Sequence, residues 1–556
     1  MAKRRFSQLK VLIIDDAPVV ITSLRGMLLK LGFSDSNIQF SKSPKSAVFK
    51  ANREKFDIFI CDYNFGKGMN GKQIFEELKH YKLLANDAVF ILVTGESSAF
   101  IVHSILELKP DEYILKPFNI GILQTRLENA VLRKQALVEL YQAEAEGNAE
   151  KGLAVCTELE PFHPEYYFII QKFRGGFLTR LKLYEEAKKV YEQTLEKKEL
   201  DWAKVGLANA LRHTGKKSEA AKLVHELIAA MPSNTTVRVE AASLSLMNSD
   251  VPDAIAHLKI ASSIVPGNSE RELVIANLCL SEGDTRSALQ RFRLYSEVNK
   301  ETFRNNHFMR MNHIRALLYA LNDAEPQERL RWLKEAKTLF KHAYEFSFDE
   351  ELESQFQLIA AHIAMAEKQY RISFEILNQL YRVKPFKHFY DRYHFAWLLN
   401  AMGFDSEFSQ CITWCKESLL DDELETILAS KTAMARALEA QGQHKVEWLE
   451  GKYKSLIEHK QNIEKLFLIY AEIFERSPTL RTERSPTLGT VCIKIITILS
   501  RYWPKEMEIK RAAEIMKECD VTIRQLMTEE EREKLGYESI YAKAHELHEQ
   551  QYQVVS

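Results

Sequence analysis

The stretch FDIFICDYNFGKGMNG, from Phe56 to Gly71, decides the fold of the first part of this 556-residue chain. Ile58, Phe59, Ile60 and Cys61 form an uncharged run that ends on one carboxylate, Asp62, and then enters a segment holding Gly66, Gly68 and Gly71. A short apolar run bounded by glycines reads as a buried strand, with Asp62 at its C-terminal end. In an open parallel α/β sheet that end is where ligands bind.

Working outward, the same unit recurs. Val11 to Ile14 is an apolar run closed by Asp15 and Asp16, after which Pro18 opens a helical pattern through Leu24, Met27, Leu28 and Leu31 to Gly32. A second strand is expected near Ile38 to Phe40, a helix from Pro44 to Asn52, and a helix over Lys72 to His80 after the central strand. Val89 to Val93 leads into Thr94 and Gly95, and Tyr113 to Leu115 into Lys116 and Pro117. Strand and helix alternating through five such units predict a doubly wound five-stranded parallel sheet.

That topology brings Asp15, Asp16, Asp62, Thr94 and Lys116 to one edge, because each stands at or just past a strand's C-terminal end. Three carboxylates together repel one another unless a cation is bound, and an all-oxygen set suits Mg²⁺. Such an edge is equipped to accept a phosphoryl group on Asp62, with the Thr94 hydroxyl and Lys116 ammonium binding the transferred oxygens.

Through VLIIDD, FICD, LVTG and YILKPF, residues 8 to 130 resemble the receiver domain of bacterial two-component response regulators, of flavodoxin-like fold. The resemblance implies that Asp62 is the phosphoacceptor and that Asp16 and Asp62 bind Mg²⁺ directly. Asp15 would act through water and the Asn64 backbone carbonyl would be a further ligand. It implies that Thr94 and Tyr113 form a switch pair, that Lys116–Pro117 is cis, and that Asn64 and Glu96 tune dephosphorylation. Receivers usually carry Pro four residues and Gly eight residues after the phosphoacceptor, whereas Gly66 and Gly71 stand here at plus four and plus nine. The loop is expected to be one residue longer.

From Asn119 a helical pattern runs without a breaker between Gly121 and Gly147, so residues 131–146 are expected to continue the last helix of a receiver assigned to 1–130. Beyond Gly147, Ala187, Ala220, Ala254 and Ala288 recur at separations of 33, 34 and 34, each followed four residues later by Tyr191, Val224, Leu258 or Phe292. The phase extends back to Gly152, Cys156 and Pro164 and forward to Ser373, Leu377 and Pro385, with Pro232 and Pro266 ending the middle units. Residues 147–450 therefore resemble tetratricopeptide repeats, although the consensus Trp, Gly and Tyr are mostly missing; an unrelated α-solenoid predicts the same class of function. Such an array presents a concave face for a peptide or helix and no evident place for catalysis. Residues 451–556 read as further helix, interrupted by a loop at 475–489 in which ERSPTL occurs twice. His307, Arg310, His313 and Arg315 read as a solvated helix face.

Net charge of −1, 46% hydrophobic and 28% charged residues describe a folded chain with no global field for DNA or an anionic membrane. Seven scattered cysteines without a CxxC pair read as reduced core thiols. No run approaches the roughly 20 apolar residues of a membrane span, and the expected location is cytoplasmic. The expectation is a response regulator phosphorylated on Asp62 by a sensor histidine kinase or phosphotransfer protein. The receiver would catalyse its own Mg²⁺-dependent phosphorylation and dephosphorylation, with no separate output enzyme. Phosphorylation would alter the protein contacts of the solenoid, whose partner is unknown. A phosphate sink, draining phosphoryl groups from another regulator, is the alternative. Homodimerisation and an unrecognised activity in residues 451–556 stay open.

Overall fold

The computed structural model describes residues 6–66, 68–95, 104–105, 107–345, 350–420, 423–476, 488–504 and 508–555. Strands β1 (Val11–Ile14), β2 (Ile38–Ser41), β3 (Ile58–Asp62), β4 (Val89–Thr94) and β5 (Glu112–Leu115) form one sheet in the order β2-β1-β3-β4-β5, every pair parallel. Val11 lies opposite both Ile38 and Ile58, and Asp62 opposite Val93. Order and direction are those of a flavodoxin-like doubly wound sheet.

Alternation along the strands supplies both faces with core. Val11, Ile13, Ile58, Ile60, Val89 and Ile91 pack against helix α1 (Pro18–Lys30) and the helix Ile120–Ala136. Leu12, Ile14, Phe59, Phe90 and Leu92 pack against α2 (Pro44–Arg53), α3 (Gly71–His80) and Ile105. A sheet covered on both faces explains why its strands read as continuous apolar runs, each fully buried side chain stabilising by about 1.5–3 kcal/mol.

The expected unbroken connector is corrected: the helix Ile120–Ala136 stops at Leu137, and a second helix, Val138–Glu146, runs to a left-handed Gly147. Leu137 is fully buried beside Leu140 and Ala143. Burying that side chain redirects the chain where local propensity alone would continue it.

A long all-helical region follows, and its repeat period is written into the backbone corners. Lys182, Gly215, Ser249 and Gly283 all have positive φ, each five residues before Ala187, Ala220, Ala254 and Ala288. At every corner the next N–H reaches five residues back: Leu183 to the Leu178 carbonyl, Lys216 to Leu211, Asp250 to Ser245 and Asp284 to Cys279, at 2.9–3.0 Å. This bond closes the preceding helix, as in a Schellman motif. The four alanines are 0–1% exposed, so a larger side chain has no room there.

The chain divides into two compact units. The first is Met1–Glu272 with Glu297–Asn305, the second Leu273–Ser296 with Asn306–Ser556. In the first, the Tyr191 ring fills the space left by Gly175 and Gly206, where added Cβ atoms would come within 2.5 and 2.4 Å of it. In the second, one core cluster runs from Tyr319 to Ala544, and Gly442 admits the Phe408 ring. The boundary expected at 450/451 falls inside the 34-residue helix Glu425–Glu458. Arg315 is no solvated residue: it is 2% exposed and ion-paired with Asp391 on a helix, His307–Ala320, buried around most of its circumference. Most of the duplicated ERSPTL segment, 477–487, lies outside the described residues.

Candidate functional site

Asp15 follows β1, Asp62 ends β3, Thr94 ends β4 and Lys116 follows β5. Because all strands are parallel, the four reach the same edge of the sheet. The order reverses between β1 and β3, and that switch point is where a doubly wound sheet opens a crevice.

Lys116 organises the crevice. Its Nζ donates to Asp15 Oδ2 at 2.9 Å and to Asp62 Oδ1 at 2.8 Å, so one ammonium bridges carboxylates from two strands. The remaining oxygens are held by main chain: Asp15 Oδ1 accepts from the Ala17 N–H at 2.9 Å, and Asp62 Oδ2 from the Asn64 N–H at 3.1 Å. Lys116 is itself placed by its N–H on the Thr94 carbonyl at 2.7 Å, and its peptide bond to Pro117 is cis.

Asp15, Asp62 and Thr94 are buried, whereas Asp16 and Asn64 are exposed and Tyr113 is half-buried against the face formed by Leu12, Ile14 and Leu92. Burial pushes the Asp62 carboxyl up from its ordinary range; bonding to Lys116 opposes this, Asp15 adds to it, and the net direction is upward. Burial alone would lower the Lys116 ammonium, but its bonds to Asp62 and Asp15 outweigh that and raise it. Lys116 is thus a fixed cation, beside an Asp62 whose ionisation is resisted.

Asp15 and Asp62 share the Lys116 ammonium, and the exposed Asp16 follows Asp15 directly in the chain. Among the described residues no three His, Cys, Asp or Glu side chains stand together as a closed metal cage. This donor set fits Mg²⁺, which typically keeps several waters and takes only one or two carboxylates. Glu96 lies outside the described residues.

Gly71 has a role that its offset from the usual receiver glycine hid. A Cβ there would lie 2.4 Å from the Asp62 carbonyl oxygen and 2.9 Å from Leu92, while the Gly71 N–H donates to the Tyr63 carbonyl at 2.8 Å. The first residue of α3 therefore packs on the backbone of Asp62 itself. The three-glycine segment was the signal for such a contact, but not for which glycine makes it.

Residues 11–128 match the family model described as the response regulator receiver domain. The N-terminal domain is a response regulator receiver. Over 161 residues the chain is 27% identical to the alkaline phosphatase synthesis transcriptional regulatory protein PhoP of Bacillus subtilis, covering 29% of this chain and 63% of that relative. Over 123 residues it is 25% identical to a chemotaxis protein CheY homolog of Campylobacter jejuni, covering 22% of this chain and 92% of the homolog. A crystal structure of a tetratricopeptide repeat protein from Parabacteroides merdae aligns with 54% of this chain and 98% of its own, at 10% identity and a TM-score of 0.28. A receiver implies phosphorylation-dependent two-component signalling and a histidine kinase partner.

The second unit holds a cleft of about 940 Å³, lined among others by Arg329, His362, Trp397, Lys445 and Trp448. Burial pushes the His362 imidazole down to about 3, so it is neutral and donates or accepts as an uncharged ring. No helix among the described residues is long and apolar enough to cross a membrane.

Proposed function

We propose that the chain is a response regulator in which a sensor histidine kinase or phosphotransfer protein transfers a phosphoryl group to Asp62, and that the modified receiver regulates the protein contacts of the helical region. The observation that carries this reading is the Lys116 ammonium shared between Asp15 and Asp62. In the transfer, an Asp62 carboxylate oxygen forms a bond to phosphorus while the bond from phosphorus to the donor's leaving group breaks, its electron pair departing with that group. Lys116 would follow the phosphoryl oxygens, and the Thr94 hydroxyl and Tyr113 ring would adjust with it. Asp15, Asp16, Asp62 and the Asn64 carbonyl would hold Mg²⁺, whose contribution is to neutralise the developing charge. Residues 1–130 would form this catalytic part, residues 131–146 its connection, residues 147–450 a binding array and residues 451–556 its helical continuation. The cleft beside Trp397 and Trp448 would be where this region takes a protein segment.

A second reading, a sink that accepts phosphoryl groups and returns them to water, draws support from the exposed Asn64 two residues beyond the acceptor. Intact mass after incubation with acetyl phosphate and Mg²⁺ tests the common step. Wild type should gain one phosphoryl group and Asp62→Ala none; equal gain in both would overturn the assignment of Asp62. The decay rate then separates the readings, since a sink must lose the group rapidly without a partner.

A further inference from the structure

The exposed side of α3 is expected to face solvent in an isolated receiver. Here it carries a piece of its own chain, the segment Glu297–Asn305, which belongs to the receiver's compact unit although chain of the other unit precedes and follows it. The Phe303 ring stacks on His80 with centroids 3.7 Å apart and planes at 10°. The Phe303 N–H donates to the Glu77 carboxylate, and Glu77 is only 5% exposed. Arg304 joins Glu76 at 3.0 Å to Glu270 at 2.9 Å, and Lys45 at the start of α2 pairs with Glu301 at 2.7 Å. Beyond α3, Glu107 of the receiver accepts from Thr235, Asn268 and Arg271.

Gln73 ties this surface to the phosphorylation site. Its Oε1 accepts from the Asn70 N–H and its own N–H donates to Asn70 Oδ1, a capping box that fixes the start of α3. The same side chain donates through Nε2 to the Val298 carbonyl at 2.8 Å. Two residues earlier Gly71 rests on the Asp62 carbonyl. From Asp62 to the seated segment there is thus a short chain of contacts, consisting of a glycine contact, a capped helix end and a shared glutamine.

We infer that Glu297–Asn305 is an intrachain strap clasped by α3, and that phosphorylation of Asp62 loosens the clasp. The sign follows from complementarity. The strap's hydrogen bonds are satisfied around an unmodified Asp62 held by Lys116, so any rearrangement of residues 62–71 to accommodate a phosphoryl group is made against those contacts. Linkage requires the reverse as well: a chain whose clasp is broken favours the phosphorylated form by the same factor. The inference rests on Asp62 being the phosphoacceptor.

Hydrogen–deuterium exchange on the full chain tests it, read at peptides covering 297–305, with phosphorylation checked by intact mass after acetyl phosphate and Mg²⁺. Phosphorylation should raise strap exchange about fivefold or more, the lower end of ordinary allosteric coupling, with no response in Asp62→Asn. Phe303→Ala and Arg304→Ala should show the raised exchange already without phosphorylation, leaving little further response. A mass gain with unchanged strap exchange would overturn the clasp as a switch while leaving Asp62 phosphorylation standing. No mass gain with acetyl phosphate, and no exchange response to beryllofluoride as the second probe, would overturn both. Wild-type exchange in Phe303→Ala and Arg304→Ala together would show that α3 does not hold the strap at all.

Discussion

The receiver and the helical region spend their unusual residues differently. In the receiver, the residues that break the apolar pattern stand at strand ends, and the fold collects Asp15, Asp62, Thr94 and Lys116 on one edge. In the helical region, residues that interrupt the helices stand at corners such as Lys182, Gly215 and Ser249, where they serve only to turn the chain. Glycine makes the same contrast. Gly71 lets a helix touch the backbone of the proposed phosphoacceptor, whereas Gly175 and Gly206 merely make room for Tyr191. A rare residue therefore signals chemistry in the one region and geometry in the other, and the surrounding topology decides which.

Three substitutions bear on that contrast. The largest effect is expected for Lys116→Ala, which removes the cation that bridges Asp15 and Asp62 among the described residues. Phosphoryl uptake should fall by about 100-fold or more, as for loss of a preorganised electrostatic partner, with helical content unchanged by circular dichroism; near-normal uptake would break the contrast at its strongest point. Next, Gly206→Leu forces a side chain into the Tyr191 ring and should cost about 1–3 kcal/mol in denaturant unfolding. Uptake at Asp62 should stay at the wild-type rate under native conditions, and a parallel loss would mean that the two regions are not separable in function.

The smallest effect concerns charge. Asp62 has its carboxyl raised, so between its unfolded and folded values the folded chain binds the proton more tightly, and stability falls as pH rises through that window. At neutral pH the ionised Asp62 is therefore a net liability. Asp62→Asn should stabilise the receiver in chelator, read as a higher denaturant midpoint than wild type, and Mg²⁺ should narrow the gap by stabilising wild type. A destabilised Asp62→Asn would mean that its bond to Lys116 outweighs the cost of burial.

Much of this was legible from the sequence where the signal is local. Apolar runs ending in Asp62, Thr94 or Lys116 announce strands and their edge, and a 33–34-residue recurrence of small residues announces the helical array. The break at Leu137 was hidden because nothing in its neighbourhood opposes a helix; tertiary burial decides it. Arg315 looked like surface because its partner Asp391 is 76 residues away. The strap on α3 was equally hidden, since Glu76, Glu77 and Arg304 are ordinary surface residues until chain more than 220 residues distant meets them. Long-range pairing leaves no periodicity to read.

The corners of the helical region also bear on how such an array changes over evolutionary time. Because Lys182, Gly215 and Ser249 end their helices with the same five-residue bond and the same handedness, the chain passes through equivalent geometry once per repeat. Recombination between two such points would insert or excise a whole repeat with both cut ends already matching, so length can drift by modules while every surviving joint stays intact. A protein with this construction can lengthen its reach without renegotiating the joints it already has.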